Sequence, residues 1–112
     1  MSDRVKQFRE EREKLNEMLL AQGDINLKRF FGIDSAVYRD GALDAKTKEL
    51  LGLVASLVLR CDDCISYHTI AAREHGVTNE EFQEVLSIGL VVGGSITIPH
   101  IRRANRLWKE ME

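Results

Sequence analysis

The chain has 112 residues, 44% hydrophobic and 30% charged, with a formal net charge of -2 at pH 7. That length fits one domain, 1–112, whose core is modest enough that assembly into a homo-oligomer is a natural supplement. The charge balance gives no general attraction to nucleic acid or to an anionic membrane, and no apolar run approaches the roughly 18 residues of a membrane span.

Met1-Ser2-Asp3-Arg4 opens a charged helix rather than a signal peptide, so a cytoplasmic address is expected. The pattern stays helical from Ser2 to about Ala21. Val5, Phe8, Leu15 and Leu19 make one apolar stripe, Ser2 or Asp3 caps the start, and Gly23 lies just past the end. The run Arg9-Glu10-Glu11-Arg12-Glu13-Lys14 reads as a solvated face with pairs four residues apart. A shorter helix is expected over 26–31 and a further turn over 34–40, with Phe30, Phe31, Val37 and Tyr38 packing inward.

Asp40-Gly41 marks a turn, and Asp44 caps a helix running to about Leu59. Leu50, Leu51, Leu53, Val54, Ala55, Leu57 and Val58 cover most of its circumference, the mark of a central helix. Glu49 is the exception on it. Either it pairs with Lys46 on the surface, or it is a carboxylate in apolar company, suited to accept a proton.

Next comes Cys61-Asp62-Asp63-Cys64-Ile65-Ser66-Tyr67-His68, which holds both cysteines of the chain and one of its three histidines. On a helix, 61, 64 and 68 share a face, and His68 follows Cys64 by one turn, a spacing that lets imidazole take the thiol proton. Asp62 and Asp63 suit the first turn, where a thiol is also stabilised as thiolate. The same geometry puts Cys61 at the helix end, nearer solvent.

His75-Gly76 ends this helix, with His75 as a structural cap. Thr78-x-x-Glu81 is a capping box, with Val77 and Phe82 as its hydrophobic staple. The helix that follows runs to about Val92 and is too apolar for a solvent-facing position. Gly89 inside it costs about 1 kcal/mol relative to alanine, a loss that close backbone packing would offset. Gly93-Gly94 breaks the chain, Ser95 or Thr97 restarts it, and Pro99 falls in the first turn. Ile101, Ala104, Trp108 and Met111 form the last stripe, with Arg102, Arg103 and Arg106 opposite. His100 is a candidate to face the dithiol from a neighbouring helix or subunit. No strand pattern competes anywhere, so the expected fold class is an all-α bundle of about five or six helices.

A C-x-x-C has several meanings. A thioredoxin-type motif needs a strand before it, and both flanks here read as helix. A structural zinc site has four Cys/His ligands, often in two pairs, and no second pair exists. A zinc site with Cys61, Cys64 and His68, and Glu49 as a fourth ligand, remains an alternative. So do two inert buried cysteines. A reactive dithiol on a helical scaffold is the reading the residues favour.

The set Glu49…Cys61-x-x-Cys64-x-x-x-His68, within Lys48-Glu49-Leu50 and the later Gly93-Gly94-Ser95, resembles the pattern of alkylhydroperoxidase D-like proteins. These belong to the carboxymuconolactone decarboxylase superfamily, and the resemblance spans about Leu43 to about Gly94. It implies a peroxiredoxin-type oxidoreductase: a thiol-dependent peroxidase or disulfide reductase with an antioxidant role and no cofactor or metal. Cys64 would be the peroxidatic thiol and Cys61 the resolving one. His68 would accept the proton, and Glu49 would accept or orient it. The implied partners are a hydroperoxide, a dithiol reductant such as a lipoyl group on a carrier domain, and further copies of the chain in a trimer or hexamer. The fuller peroxidase pattern has histidine just before the second cysteine, where this chain has Asp63, so modest rates are expected. The superfamily's lactone decarboxylases generally lack the cysteine pair, which leaves a lyase activity as the weaker alternative.

Overall fold

The computed structural model of the protein describes residues 3–112. Six α-helices follow one another: α1 Asp3–Leu20, α2 Ile25–Val37, α3 Ala45–Leu59, α4 Asp62–Glu74, α5 Asn79–Gly93 and α6 Ile98–Glu110. A 3₁₀ turn at Ser95–Thr97 precedes α6. There is no strand among the described residues. The all-α expectation holds; the expected Ser2 cap lies outside the described residues.

The helix starts follow local chemistry. Asp24 and Asp44 accept backbone N–H bonds at the heads of α2 and α3. Thr78 and Glu81 complete the capping box of α5, with bonds of 3.1 and 2.8 Å. His75 caps α4 through Nδ1 on the Ala71 carbonyl, and Gly76 follows with φ +80°, where a side chain would be strained.

The core is built from α3 to α6. Leu53, Leu57, Ile65, Ala72, Phe82 and Trp108 are its centre. Phe82 and Trp108 stack with centroids 4.2 Å apart, and the Arg73 guanidinium lies 3.7 Å from the centre of the Trp108 ring. The indole N–H donates to Asn79 at 2.7 Å, which satisfies the polar edge of a buried aromatic. Gly89 lets α5 approach α3 closely: a Cβ there would sit 2.8 Å from Leu57 Cδ1.

Two expectations at the N-terminal side are corrected. The separate pieces over 26–31 and 34–40 form one helix, because a single interior glycine, Gly32, weakens a helix without breaking it. Phe30 and Val37 do not pack inward: they are 65% and 56% exposed, and no residue of α2 is buried. On α1 only Val5 is buried, packed with Ile70 and Leu107, while Phe8 covers that cluster. Leu15 and Leu19 extend past it into solvent.

Candidate functional site

The joint between α3 and α4 sets the site. Arg60 adopts the left-handed conformation at φ 59°, its N–H on the Leu57 carbonyl, and the Cys61 N–H reaches back to Ser56 at 3.1 Å. This paired back-bonding is a Schellman-type helix end. It closes α3 and makes the next residue, Cys61, the N-cap of α4, its sulfur 3.2 Å from the Cys64 N–H. Two packed helices thus meet at the cysteine pair.

Cys61 and Cys64 are joined as a disulfide, with Cα atoms 5.3 Å apart. Cys64 is exposed and Cys61 only partly so, which reverses the expectation that Cys61 is nearer solvent. The reason is its capping role, which turns its sulfur toward the backbone of α4.

Further along the two helices, α3 and α4 bring Glu49 and His68 together. Glu49 Oε2 lies 2.7 Å from His68 Nδ1, with both side chains buried. Lys46, the alternative surface partner of Glu49, instead pairs with Glu81 at 3.0 Å. A carboxylate on Nδ1 fixes ring orientation and leaves Nε2 as the nitrogen that exchanges a proton. In this oxidised state Nε2 does not bond to Cys64; the Tyr38 hydroxyl stands 3.5 Å from it.

Two tyrosines flank the imidazole, with ring centroids 5.2 Å (Tyr38) and 5.3 Å (Tyr67) away. Burial, and then the charge of Glu49, raise the pKa of both phenols, so they stay protonated. Arg12 from α1 lies 4.2 Å from the centre of the Tyr67 ring. Tyr67 also lines a groove of about 420 Å³ with Phe8, Arg12, Asn16 and Ile70; neither cysteine lines it.

A second carboxylate–histidine pair flanks the cysteines. Asp62 accepts from His100 Nδ1 at 2.8 Å and from Arg103 at 2.9 Å, tying α6 to the head of α4. Burial opposes ionisation of Asp62, yet these hydrogen bonds outweigh it and hold its pKa below the usual range. His100 thus comes to the residue beside Cys61 through Asp62. Among the described residues, no three His, Cys, Asp or Glu side chains are grouped to hold a metal ion. In particular, Glu49 and His68 bind each other rather than converging on the sulfurs.

Tyr38, expected to pack inward with Phe30 and Val37, lies instead against His68, and Gly52 is a further site residue that the sequence pattern does not by itself mark as one. A Cβ at Gly52 would lie 2.7 Å from the Tyr38 hydroxyl and 2.8 Å from the His68 ring. The signal was a lone glycine inside an apolar helix three residues after Glu49.

The family model described as the carboxymuconolactone decarboxylase family matches residues 26–106. A crystal structure from Thermotoga maritima is 59% identical with a TM-score of 0.92, covering 95% of this chain and 93% of that one. A second crystal structure of that protein, described as a member of this family with a suggested role in the antioxidative response, is 58% identical with a TM-score of 0.90; it covers 94% of this chain and 89% of that one. The apo form of a Legionella pneumophila protein of the same family is 25% identical with a TM-score of 0.87, over 97% of both chains. An uncharacterized protein of Cupriavidus necator is 38% identical over 68 residues. That match covers 61% of this chain and 60% of the relative, less than two thirds of its length.

Proposed function

The chain belongs to the carboxymuconolactone decarboxylase family, and from that premise we propose that it is a thiol-dependent peroxidase or disulfide reductase working through Cys61 and Cys64. The observation that carries this reading is the buried Glu49–His68 pair, 2.7 Å apart, with Glu49 on α3 and His68 one turn beyond Cys64 on α4. A buried carboxylate–imidazole pair next to an oxidisable dithiol is equipped to move protons at sulfur. The antioxidative role suggested for the Thermotoga protein agrees with it.

The chemistry runs in two halves. In the reduced protein, His68 takes the proton of Cys64, directly or through water, and Glu49 stabilises the imidazolium. The thiolate attacks one peroxide oxygen; the O–O bond breaks, and the leaving alkoxide takes up a proton. Cys64 is left as sulfenic acid. The Cys61 thiol displaces water from it and forms the disulfide. A dithiol, such as a lipoyl group on a carrier domain, then attacks the exposed Cys64 sulfur and releases Cys61. Its second thiol completes the exchange.

Assembly belongs to the same proposal. Phe30 and Ile33 on α2, and Val91 and Val92 on α5, are each at least 62% exposed, an apolar surface that suits a trimer or hexamer. A monomer mass by light scattering at micromolar concentration would contradict it. Peroxide consumption with dihydrolipoamide tests the activity: the wild type should turn over and Cys64→Ser should not. Equal rates in the two would defeat the reading, and so would none in either together with no reduction of a disulfide substrate.

A further inference from the structure

Tyr38 is held at the imidazole by an arrangement that its own helix does not explain. No residue of α2 is buried, yet the residue just past its end lies against the buried His68. The holding groups come from α3. Lys48, next to Glu49 in sequence, donates from Nζ to the carbonyls of Val37 at 2.8 Å and Arg39 at 2.6 Å. These are the two neighbours of Tyr38, so the ammonium clamps the backbone on both sides of it. Gly52, one turn on from Lys48, leaves the space in which the hydroxyl and the imidazole meet. One face of α3 therefore supplies the carboxylate for Nδ1, the clamp for Tyr38 and the gap between them.

We propose that Tyr38 is a positioning residue for His68, its hydroxyl oxygen accepting a hydrogen bond from Nε2–H once the imidazole has taken the proton from Cys64. This rests on the reading of Cys64 and His68 given above. The groups facing His68 support it. Glu49 from α3 occupies Nδ1, Tyr67 from α4 presents a ring and not a polar atom, and Arg12 from α1 lies beyond Tyr67. Tyr38 alone offers an oxygen to Nε2 among the described residues. An imidazolium needs an acceptor at both nitrogens when buried, and a hydrogen bond to a charged donor is about twice as strong as one between neutral groups. The hydroxyl thus favours the state in which His68 holds the proton and Cys64 is thiolate. The raised pKa of Tyr38 keeps the phenol neutral, able to accept without carrying charge.

The test is iodoacetamide alkylation of Cys64 in the reduced protein, followed by peptide mass at about pH 7 and about pH 9.5, where a thiol ionises unaided. It needs no peroxide turnover. Tyr38→Phe keeps the ring, Lys48→Met releases the clamp with both tyrosines intact, and His68→Gln is the reference. The expected result is a loss on the order of tenfold or more in Tyr38→Phe at pH 7, the size of one hydrogen bond to a charged group. Lys48→Met should fall in the same direction, and all variants should converge on the wild type at the higher pH. Slow alkylation in His68→Gln with wild-type rates in Tyr38→Phe overturns the role of Tyr38 and leaves the role of His68 intact. An equal fractional loss in Tyr38→Phe at both pH values also overturns it, since that is the mark of altered packing. Wild-type rates in every variant overturn both assignments. A protein that shows the expected alkylation pattern but consumes no peroxide and reduces no disulfide would sink the proposed activity alone.

Discussion

Replacing Gly52 with alanine separates the site from the scaffold. The new methyl would lie 2.7 Å from the Tyr38 hydroxyl and 2.8 and 2.9 Å from the His68 ring atoms Cε1 and Nε2, against an ordinary contact of 3.4 Å or more. Roughly 0.6 Å of relief is therefore needed at the ring, and more if the contact is to be comfortable. The overlap is with the ring atoms themselves, so part of the displacement must appear in the imidazole, against the hold of Glu49. A misplacement of about 1 Å in a catalytic group costs on the order of 100-fold in rate, and the smaller shift here should cost about 10- to 100-fold. Stability should respond differently. Alanine gains about 1 kcal/mol over glycine inside a helix, while the half-buried Tyr38 side chain, just past the end of a helix with no buried residue, can swing outward about its clamped backbone. Gly52→Ala should thus unfold in urea within about 1 kcal/mol of the wild type, while stopped-flow oxidation by peroxide slows at least tenfold. Oxidation at the wild-type rate in a protein of unchanged stability would refute the claim that Gly52 spaces the site.

Gly89→Ala is the contrasting substitution, because its Cβ would meet Leu57 Cδ1 at 2.8 Å and Leu57 Cβ at 3.3 Å in the core. Overpacking costs about 1–3 kcal/mol and should outweigh the helix gain, so the urea midpoint should fall; a rise would show that α3 and α5 have slack there. Asp62 gives a pH test. Its folded pKa is held below the unfolded value, so its stabilising contribution is present above about pH 4 and is lost as the pH falls through the folded value. Asp62→Asn should melt below the wild type at pH 7 and with it near pH 2; an unchanged gap at both would show that the charge is not the source.

The scaffold was legible because its signals are local. The capping box at Thr78 and Glu81, the His75-Gly76 stop and the apolar circumference of 50–58 each act within a turn or two of chain. Close packing at Gly89 could be read from the same logic, since an interior glycine needs compensation. The N-terminal side was harder, because the apolar residues of α2 look like core residues in sequence and no pattern tells whether their partner is in the chain. Tyr38 was assigned inward for that reason, and inward it goes, but toward His68 rather than toward Phe30 and Val37. Its placement depends on Lys48 reaching two carbonyls around residue 38, a contact between segments that leaves no periodic trace. The exposure of the two cysteines was inverted for a related reason: helix spacing located them correctly, but only the N-cap geometry of Cys61 shows which sulfur faces out.

The proposed mechanism turns on which sulfur meets the peroxide. Sulfenic acid should be trapped with a dimedone-type label after one equivalent of peroxide, in Cys61→Ser and in Cys64→Ser. Exposure of Cys64 and its place one turn before His68 predict label on Cys64 in the first variant and none on Cys61 in the second. Label on Cys61 and none on Cys64 would contradict the assignment of Cys64 as the peroxidatic thiol.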